Sequence, residues 1–211
     1  MSLELITTVN GHRMTEAASA LQKTIRRGLV DDAIYWAADI YLSGFGEYLW
    51  KRLRIITSED IGPADRYLPA TIAALHANYQ EALAAGKKGA KFTGERLYVF
   101  HAVVLLATAP KCRIVDHVMI HHLRCHAELK RDVPDYALDQ HTQRGRKLGR
   151  GVDHFFNEGT TLSNYVDDEY KELARKAMQS KPPAEVRSNY HSPKAAGRKQ
   201  AADKPNVNDL F

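Results

Sequence analysis

Histidines are concentrated in one short stretch of this 211-residue chain, where four of the ten lie between residues 117 and 126. His117 and His121, like His122 and His126, are four residues apart, the spacing at which two helical side chains can share a zinc ion. A helix turns by about 100° per residue, so His117 and His126 point in opposite directions. No cysteine or carboxylate obviously completes a site. Zinc binding is therefore the lesser alternative, and we expect one histidine at the core edge and three in surface or interface positions.

A second candidate for chemistry is the acidic pair Glu59-Asp60, which follows Ser58. Paired carboxylates can act as a general acid and a general base. Here the pair follows a predicted helix that ends near Thr57, a position where serine and aspartate commonly accept backbone N–H groups of the next helix. Acids are also favoured at the positive end of a helix dipole. We therefore expect Ser58 or Asp60 to cap a helix, without a catalytic role.

A third candidate is a basic turn that contains three glycines between residues 141 and 151. Its four cations are Arg144, Arg146, Lys147 and Arg150. Backbone amides and guanidinium groups in such a turn can hold phosphates, which predicts contact with nucleic acid. A solvated loop has the same composition, and the sequence leaves both interpretations open.

Positive charge is concentrated towards the C-terminus. The net charge is +5, and residues 171–211 alone carry nine Lys or Arg against four acids, so the first 170 residues are neutral. Electrostatic attraction to nucleic acid should therefore come mainly from this part of the chain. The candidate contacts there are Lys194, Arg198 and Lys199. Residues 179–206 contain no Leu, Ile, Phe, Trp or Met, which predicts a disordered linker, because such a segment cannot offset its ordering entropy.

The elements that position these residues are predicted to be helices. Apolar residues recur every three or four positions, and no segment alternates with the period of a half-buried strand. The recurring residues are Leu21 and Ile25; Ile34, Ala37 and Tyr41; Leu49, Leu53 and Ile56; and Leu68, Ile72, Leu75, Tyr79 and Leu83. The prediction is an all-α helical bundle over residues 15–178, with a leader at 1–14 and a disordered basic tail at 179–211. A helix that is capped by Thr93 and runs to Ala109 is apolar on all sides and should lie at the centre. Further helices are predicted from about Arg66 to Ala85, ended by Gly86, from Arg113 to Lys130 and from about Leu162 to Met178.

The last residues form a separate short motif. Asp209-Leu210-Phe211 resembles the end of the bacterial sliding-clamp-binding peptide, usually Q-L-[SD]-L-F, although Val207 and Asn208 depart from that pattern. Leu210 and Phe211 could enter an apolar cleft on a clamp, and the departures imply weak binding.

Several words of the sequence resemble one protein family. They are A-L-Q-K-T-I-R-R-G from Ala20, D-D-A-I-Y-W from Asp31, S-E-D-I-G from Ser58 and L-A-T-A-P-K from Leu106. Together they resemble the C-terminal region of the replication-associated recombination protein A family, also called MgsA, in the clamp-loader branch of AAA+ ATPases. Weaker matches follow Pro134, and beyond His154 the pattern can no longer be followed.

The resemblance implies a clamp-loader-collar-like domain that self-associates, as a tetramer, without the ATPase module that family members carry ahead of this region. The sequence agrees, since it contains no G-x-x-x-x-G-K-[ST], and Gly86-Lys87-Lys88-Gly89 lacks the spacing of a phosphate-binding loop. We expect no ATP hydrolysis and no cofactor. The longest apolar run, from Val99 to Ala109, is shorter than the roughly 20 residues that a membrane span needs, which predicts a cytoplasmic, nucleoid-associated protein without membrane contact.

The sequence therefore predicts a non-catalytic accessory protein of DNA replication, recombination or repair, which assembles with itself and tethers to DNA and to a sliding clamp. Two alternatives stay open. One is an oligomerisation module that regulates a separately encoded AAA+ ATPase without touching DNA. The other, less favoured, is an enzyme or metal-binding protein that uses the histidine-rich helix together with His101.

Overall fold

The structure is a computed structural model that describes residues 5–91 and 93–180. Within these ranges the predicted all-α class is confirmed, since the only β feature is an isolated antiparallel bridge between Thr7 and Arg13. The chain divides into two compact units, Met1–Lys130 and Arg131–Phe211. The division falls inside the predicted 15–178 domain, whose boundaries stay a prediction. The predicted tail lies outside the described residues, apart from Gln179 and Ser180.

The described residues of the first unit form six α-helices. They are α1 Met14–Arg27, α2 Val30–Leu42, α3 Gly46–Ile56, α4 Leu68–Lys87, α5 Glu95–Thr108 and α6 Ile114–Arg124. A π-helical turn, Thr57–Ile61, continues α3 and is followed by a 3₁₀ turn, Gly62–Ala64.

The core of the first unit follows the predicted apolar spacing. All the recurring residues of α1 to α4 are buried or partly buried against one hydrophobic cluster. Helix α5 contacts α1, α2, α3 and α4, and its Val99, Val103 and Leu106 are 0% exposed. The predicted central position is therefore confirmed for this side of the helix only, since the opposite side, with Leu97 74% and Val104 37% exposed, lies at the surface.

Several helix ends differ from the prediction. Helix α4 continues through Gly86 to Lys87, because Gly86 keeps a helical backbone and so does not end the helix. The residue before α5 is Gly94, whose φ of 70° is left-handed, while the Thr93 hydroxyl bonds the side chain of Glu95 and caps no backbone group. Helix α6 ends at Arg124, six residues before the expected Lys130.

The segment predicted as a leader packs against α2. The Asn10 N–H donates to Asp39 Oδ1 at 3.3 Å, and the Val9 N–H donates to Ser43 Oγ at 2.9 Å. Met14, the first residue of α1, is fully buried. The described residues of this segment therefore form part of the first unit.

The second unit contains short elements. They are a 3₁₀ turn Asp135–Ala137, α7 Gln143–Lys147, α8 Val152–His154, a π-helical turn Phe155–Gly159 and α9 Lys171–Gln179. Its buried apolar side chains, within the described residues, are Leu138 and Phe156. The helix predicted from Leu162 begins only at Lys171.

Candidate functional site

The chain enters α6 beside the turn that follows α3. The Cys112 N–H donates to the carbonyl oxygen of Asp60 at 2.8 Å. Gly62 has a φ of 51°, and a Cβ at this position would lie 2.8 Å from the Cys112 carbonyl oxygen. Only glycine combines this backbone conformation with so close an approach. The glycine of the S-E-D-I-G word therefore allows the start of α6 to lie directly against the turn.

The same turn carries a buried carboxylate. The side chain of Asp60 is 0% exposed; Arg26 Nε donates to its Oδ1 at 2.6 Å, and Gln22 Nε2 donates to its Oδ2 at 3.0 Å. Arg113 Nε lies 3.4 Å from Oδ1. The hydrogen bond to Asp60 raises the pKa of Arg26. A fully buried carboxylate needs such partners, since removing one leaves an uncompensated charge.

The adjacent acids extend this network to α6. Glu59 Oε1 lies 3.0 Å from Arg26 Nη2 and 3.2 Å from Arg113 Nη2, and Arg113 also pairs with Asp116 on the first turn of α6. We call Arg26, Glu59, Asp60, Arg113 and Asp116 the charge cluster. It connects α1, the turn after α3 and the start of α6.

The expected capping role of Ser58 and Asp60 is wrong. The carboxylate of Asp60 turns inward to Arg26, 34 residues earlier in the chain, and no side chain of this stretch caps the following turn. The carboxylate that serves α4 is Asp65, whose Oδ1 accepts the N–H groups of Tyr67 at 3.0 Å and Leu68 at 3.1 Å. A buried charge is stabilised more by a guanidinium than by exposed amides, which explains why Asp60 pairs with Arg26 and does not cap a helix.

Lys111 lies between α5 and α6 and binds carbonyl oxygens at the end of α5. Its Nζ donates to the Ala107 carbonyl oxygen at 3.1 Å and also bonds the Ala109 carbonyl oxygen, which satisfies carbonyls that the helix end leaves free. Burial lowers the pKa of Lys111. The L-A-T-A-P-K word is thus explained as the end of α5 and its cap.

Helix α6 places its apolar side chains at the surface of the first unit. The exposed fractions of its six large apolar residues lie between 38% and 52%. They are Ile114, Val115, Val118, Met119, Ile120 and Leu123. Within the described residues, nothing covers this helix as α1 to α4 cover α5.

The four clustered histidines are all exposed, so the expectation that one of them lies at the core edge is wrong. His121 and His122 contact each other edge to face, with ring centroids 5.2 Å apart. In the part of the chain that the structure describes, no group of three or more His, Cys, Asp or Glu could hold a metal ion.

A groove of about 450 Å³ lies between α3 and α6. Ile55, Val115 and Met119 give it an apolar surface, and Lys51 and Arg54 stand beside it. Ser58, Glu59 and Asp116 complete its lining. It is a concave, mostly apolar site with polar groups at its edge, the form expected of a peptide- or ligand-binding groove.

The basic turn lies in the second unit. Arg150 bonds the Asp135 carboxylate and the carbonyl oxygens of Asp135 and Leu138, at 2.8 and 2.9 Å for the carbonyls. Arg146 donates to the carbonyl oxygens of Gln140 and His141, each at 3.1 Å. These two arginines therefore hold the turn together.

The glycine of this turn has a packing role. A Cβ on Gly145 would lie 1.9 Å from the Asp139 carbonyl oxygen, and the Gly145 N–H donates to the Thr142 hydroxyl at 2.9 Å. The N–H groups of Arg146, Leu148, Gly149 and Arg150 also bond oxygens within the turn. Phosphate contact would therefore depend on side chains, of which Arg144 and Lys147 are exposed and have no direct bond in the described residues.

The remaining candidate contacts, Lys194, Arg198, Lys199 and Asp209-Leu210-Phe211, lie outside the described residues. Nor does any helix in the described part of the chain have the length and apolar character to span a membrane.

Sequence reasoning missed the charge cluster. Gln22 and Arg26 are four residues apart within the A-L-Q-K-T-I-R-R-G word, so they share a helical face, and both bond Asp60 of the S-E-D-I-G word. The sequence signal that could have indicated this cluster is the polar residues that lie on an otherwise apolar helical face in both words.

Comparisons with known proteins agree on one family. A family model described as MgsA AAA+ ATPase C terminal matches residues 29–204, well past His154, where the sequence resemblance was lost. The replication-associated recombination protein A of Haemophilus influenzae is 31% identical over 177 residues, 77% of this chain and 36% of that protein. The Bacillus subtilis protein of the same name is 26% identical over 206 residues, which are 92% of this chain and 42% of that protein. The Escherichia coli K12 protein of this name is 29% identical over 194 residues, which are 89% of this chain and 38% of that protein.

The chain spans about two fifths of the length of these curated relatives. The match to the family model extends over much more than half of the chain and includes α2 to α9. On this evidence, the chain belongs to the MgsA AAA+ ATPase C-terminal family.

Proposed function

We propose that this chain is a non-catalytic module of DNA replication and recombination, which assembles copies of itself and tethers them to DNA. The observation that carries the proposal is α6, a helix of the first unit with six large apolar side chains at the surface. The relatives in three bacteria are named for replication-associated recombination, which supports the same cellular setting, a cytoplasmic protein near the nucleoid.

An apolar helix at a surface favours association. Ile114, Val118 and His121 follow one side of α6 at helical spacing, and none of the three lines the groove beside α3. Contiguous apolar surface of this kind commonly marks a protein interface. Pairing this side with the same side of a second copy would make a two-fold interface, and a second contact surface would close a tetramer.

Tethering would use cations at two places. Arg144 and Lys147 are the cations of the basic turn that are left available for phosphates. Lys194, Arg198 and Lys199 belong to the segment with the excess of positive charge. The Asp209-Leu210-Phe211 motif would add a weak contact to a sliding clamp.

Self-association is tested with a charge on α6. Val118→Asp places a carboxylate on the apolar side of the helix and should reduce the mass measured by light scattering from about four times 23.7 kDa to that of smaller species. The matched control is Leu97→Asp on α5, because Leu97, like Val118, is an exposed aliphatic side chain on a helix of the same unit. A monomeric parent protein at tens of micromolar, or equal masses for both variants, would contradict the proposal.

DNA tethering is tested by salt dependence. Binding of the parent protein to duplex DNA should be insensitive to sequence and should weaken with salt, with a slope near −0.9 per phosphate contacted. Replacing Lys194, Arg198 and Lys199 with Ala should reduce that slope, and replacing Lys87, Lys88 and Lys91 should not. The purified chain should not hydrolyse ATP, with or without DNA, and hydrolysis would disprove the non-catalytic role.

A further inference from the structure

Two histidines lie on the side of α6 that the proposed self-association uses. At about 100° per residue, Ile114, His117, Val118 and His121 fall within an arc of about 100° around the helix axis. Both histidines are exposed, and neither imidazole makes a hydrogen bond or ion pair with the described residues. Their nitrogens are therefore available on the surface that would meet a second copy.

The helix fixes the spacing of this pair. His117 and His121 both lie within Ile114–Arg124, so they are about one turn apart, a spacing at which two imidazoles can bind one zinc ion at about 2.0 to 2.1 Å. His126 lies beyond the end of the helix, so His122 and His126 do not share this geometry. The structure therefore distinguishes two histidine pairs that have the same spacing in the sequence.

Two imidazoles leave a zinc ion incomplete. Structural zinc is almost always held by four ligands, and no third His, Cys, Asp or Glu of the described residues joins the pair. Asp116, the acid of α6, bonds Arg113. The missing ligands must therefore come from outside this part of the chain.

A two-fold interface would supply them. Such an interface brings the same surface of two copies together, so residues near the axis meet their counterparts. The pair His117–His121 is centred on Met119, the middle residue of α6. A two-fold axis at the level of Met119 would place all four histidines within about one helical turn of it.

We propose that His117 and His121 form half of a zinc site, which the same two histidines of a second copy complete. This inference rests on the proposed self-association through α6. Zinc would find four ligands only in the assembled state, so it would stabilise that state by mass action. Binding to the ion would also satisfy imidazole nitrogens that an apolar interface would otherwise bury without partners.

The first test measures association of the full chain with and without zinc. Light scattering over a dilution series should place the midpoint of association at a protein concentration at least about tenfold lower in ZnCl₂ than in EDTA. Dialysis followed by metal analysis should find about one zinc ion for every two chains. An unchanged midpoint, with or without bound zinc, would overturn the proposal.

Substitutions locate the site. His117→Ala with His121→Ala should remove the effect of zinc on the midpoint, while circular dichroism should show an unchanged helix content because both side chains are exposed. The matched control is His122→Ala with His126→Ala, which removes two exposed histidines of the same sequence spacing and should respond to zinc as the parent does. A His117–His121 variant that still responds, or a control that does not, would overturn the proposal.

The thiol of Cys125 is tested separately, because it follows His121 by four residues and is a free cysteine. Cys125→Ser should keep the full response to zinc, since the four proposed ligands are histidines. Loss of the response in this variant would overturn the four-histidine site.

The outcome is separable from that of self-association. If the parent chain associates in EDTA and zinc leaves the midpoint unchanged, the zinc site is wrong and self-association stands. If the parent chain is monomeric in both solutions at tens of micromolar, both proposals are wrong. Association in ZnCl₂ alone, abolished by His117→Ala with His121→Ala, would support the zinc site and show that apolar contact does not suffice.

Discussion

Helices α5 and α6 follow each other in the chain and are both apolar, yet their surroundings differ. Val99, Val103 and Leu106 of α5 are 0% exposed among four other helices. The large apolar side chains of α6 are 38% to 52% exposed, and the helix is attached at its first turn by the charge cluster and by the Cys112–Asp60 hydrogen bond. Apolar sequence therefore stabilises the fold in one helix and forms an available surface in the next.

The difference also concerns the kind of contact that holds each helix. Helix α5 is held by close packing, which is insensitive to charge. Helix α6 depends on ion pairs between residues that are far apart in sequence, such as Arg113 and Glu59. A helix held mainly at one end should open locally more easily than a packed one.

The largest effect is expected from a cavity in α5. Leu106→Ala removes a fully buried side chain and should lower the free energy of unfolding by about 2 to 5 kcal/mol. Val118→Ala on α6 should change it by no more than about 0.5 kcal/mol, under conditions where the protein is monomeric. Urea denaturation of the two variants measures both values. Equal losses would show that α6 is packed as α5 is, and the comparison would fail.

A smaller effect is expected from the charge cluster. Asp60→Ala leaves Arg26 Nε and Gln22 Nε2 without their acceptor and should cost about 2 to 3 kcal/mol, less than a wholly buried pair because Arg26 and Arg113 are 28% and 33% exposed. Hydrogen exchange of the α6 amides should accelerate more than that of the α5 amides. Glu81→Ala, at an exposed position on α4, is the control and should change neither measurement.

If exchange instead accelerates equally throughout the first unit, the charge cluster supports the whole fold and has no particular role for α6.

The smallest effect is expected at the junction of the two helices. The folded pKa of Lys111 is lowered by burial, so the folded chain releases this proton at a lower pH than the unfolded chain does. The unfolded state then binds more protons, and stability rises with pH between the folded pKa and the usual value of 10.5. Lys111→Met removes this rise, which comparison of the two denaturation profiles at alkaline pH would show.

Lys111→Met should change stability at neutral pH by less than about 1 kcal/mol, because the loss of two hydrogen bonds to carbonyls is offset by removal of a partly buried charge. An unchanged alkaline profile would mean that Lys111 is hydrated and does not hold the end of α5.

Much of the first unit could be predicted from local spacing. The residues of α1 to α4 that recur every three or four positions are the buried ones, because a helix places them on one face whatever it packs against. The family could also be identified from a few words, since A-L-Q-K-T-I-R-R-G, S-E-D-I-G and L-A-T-A-P-K contain residues whose contacts fix the fold. The second unit was predicted less well because few of its residues are apolar and its elements are short.

The sequence by itself determined the helical class and the apolar face of each of the first four helices, because these follow from periodicity within about one turn. Tertiary structure alone decided the role of Asp60, which the local pattern assigned to a cap and the fold pairs with Arg26, 34 residues away. It also decided that the apolar residues of α6 face outward, since spacing tells which side of a helix is apolar and leaves open what covers it.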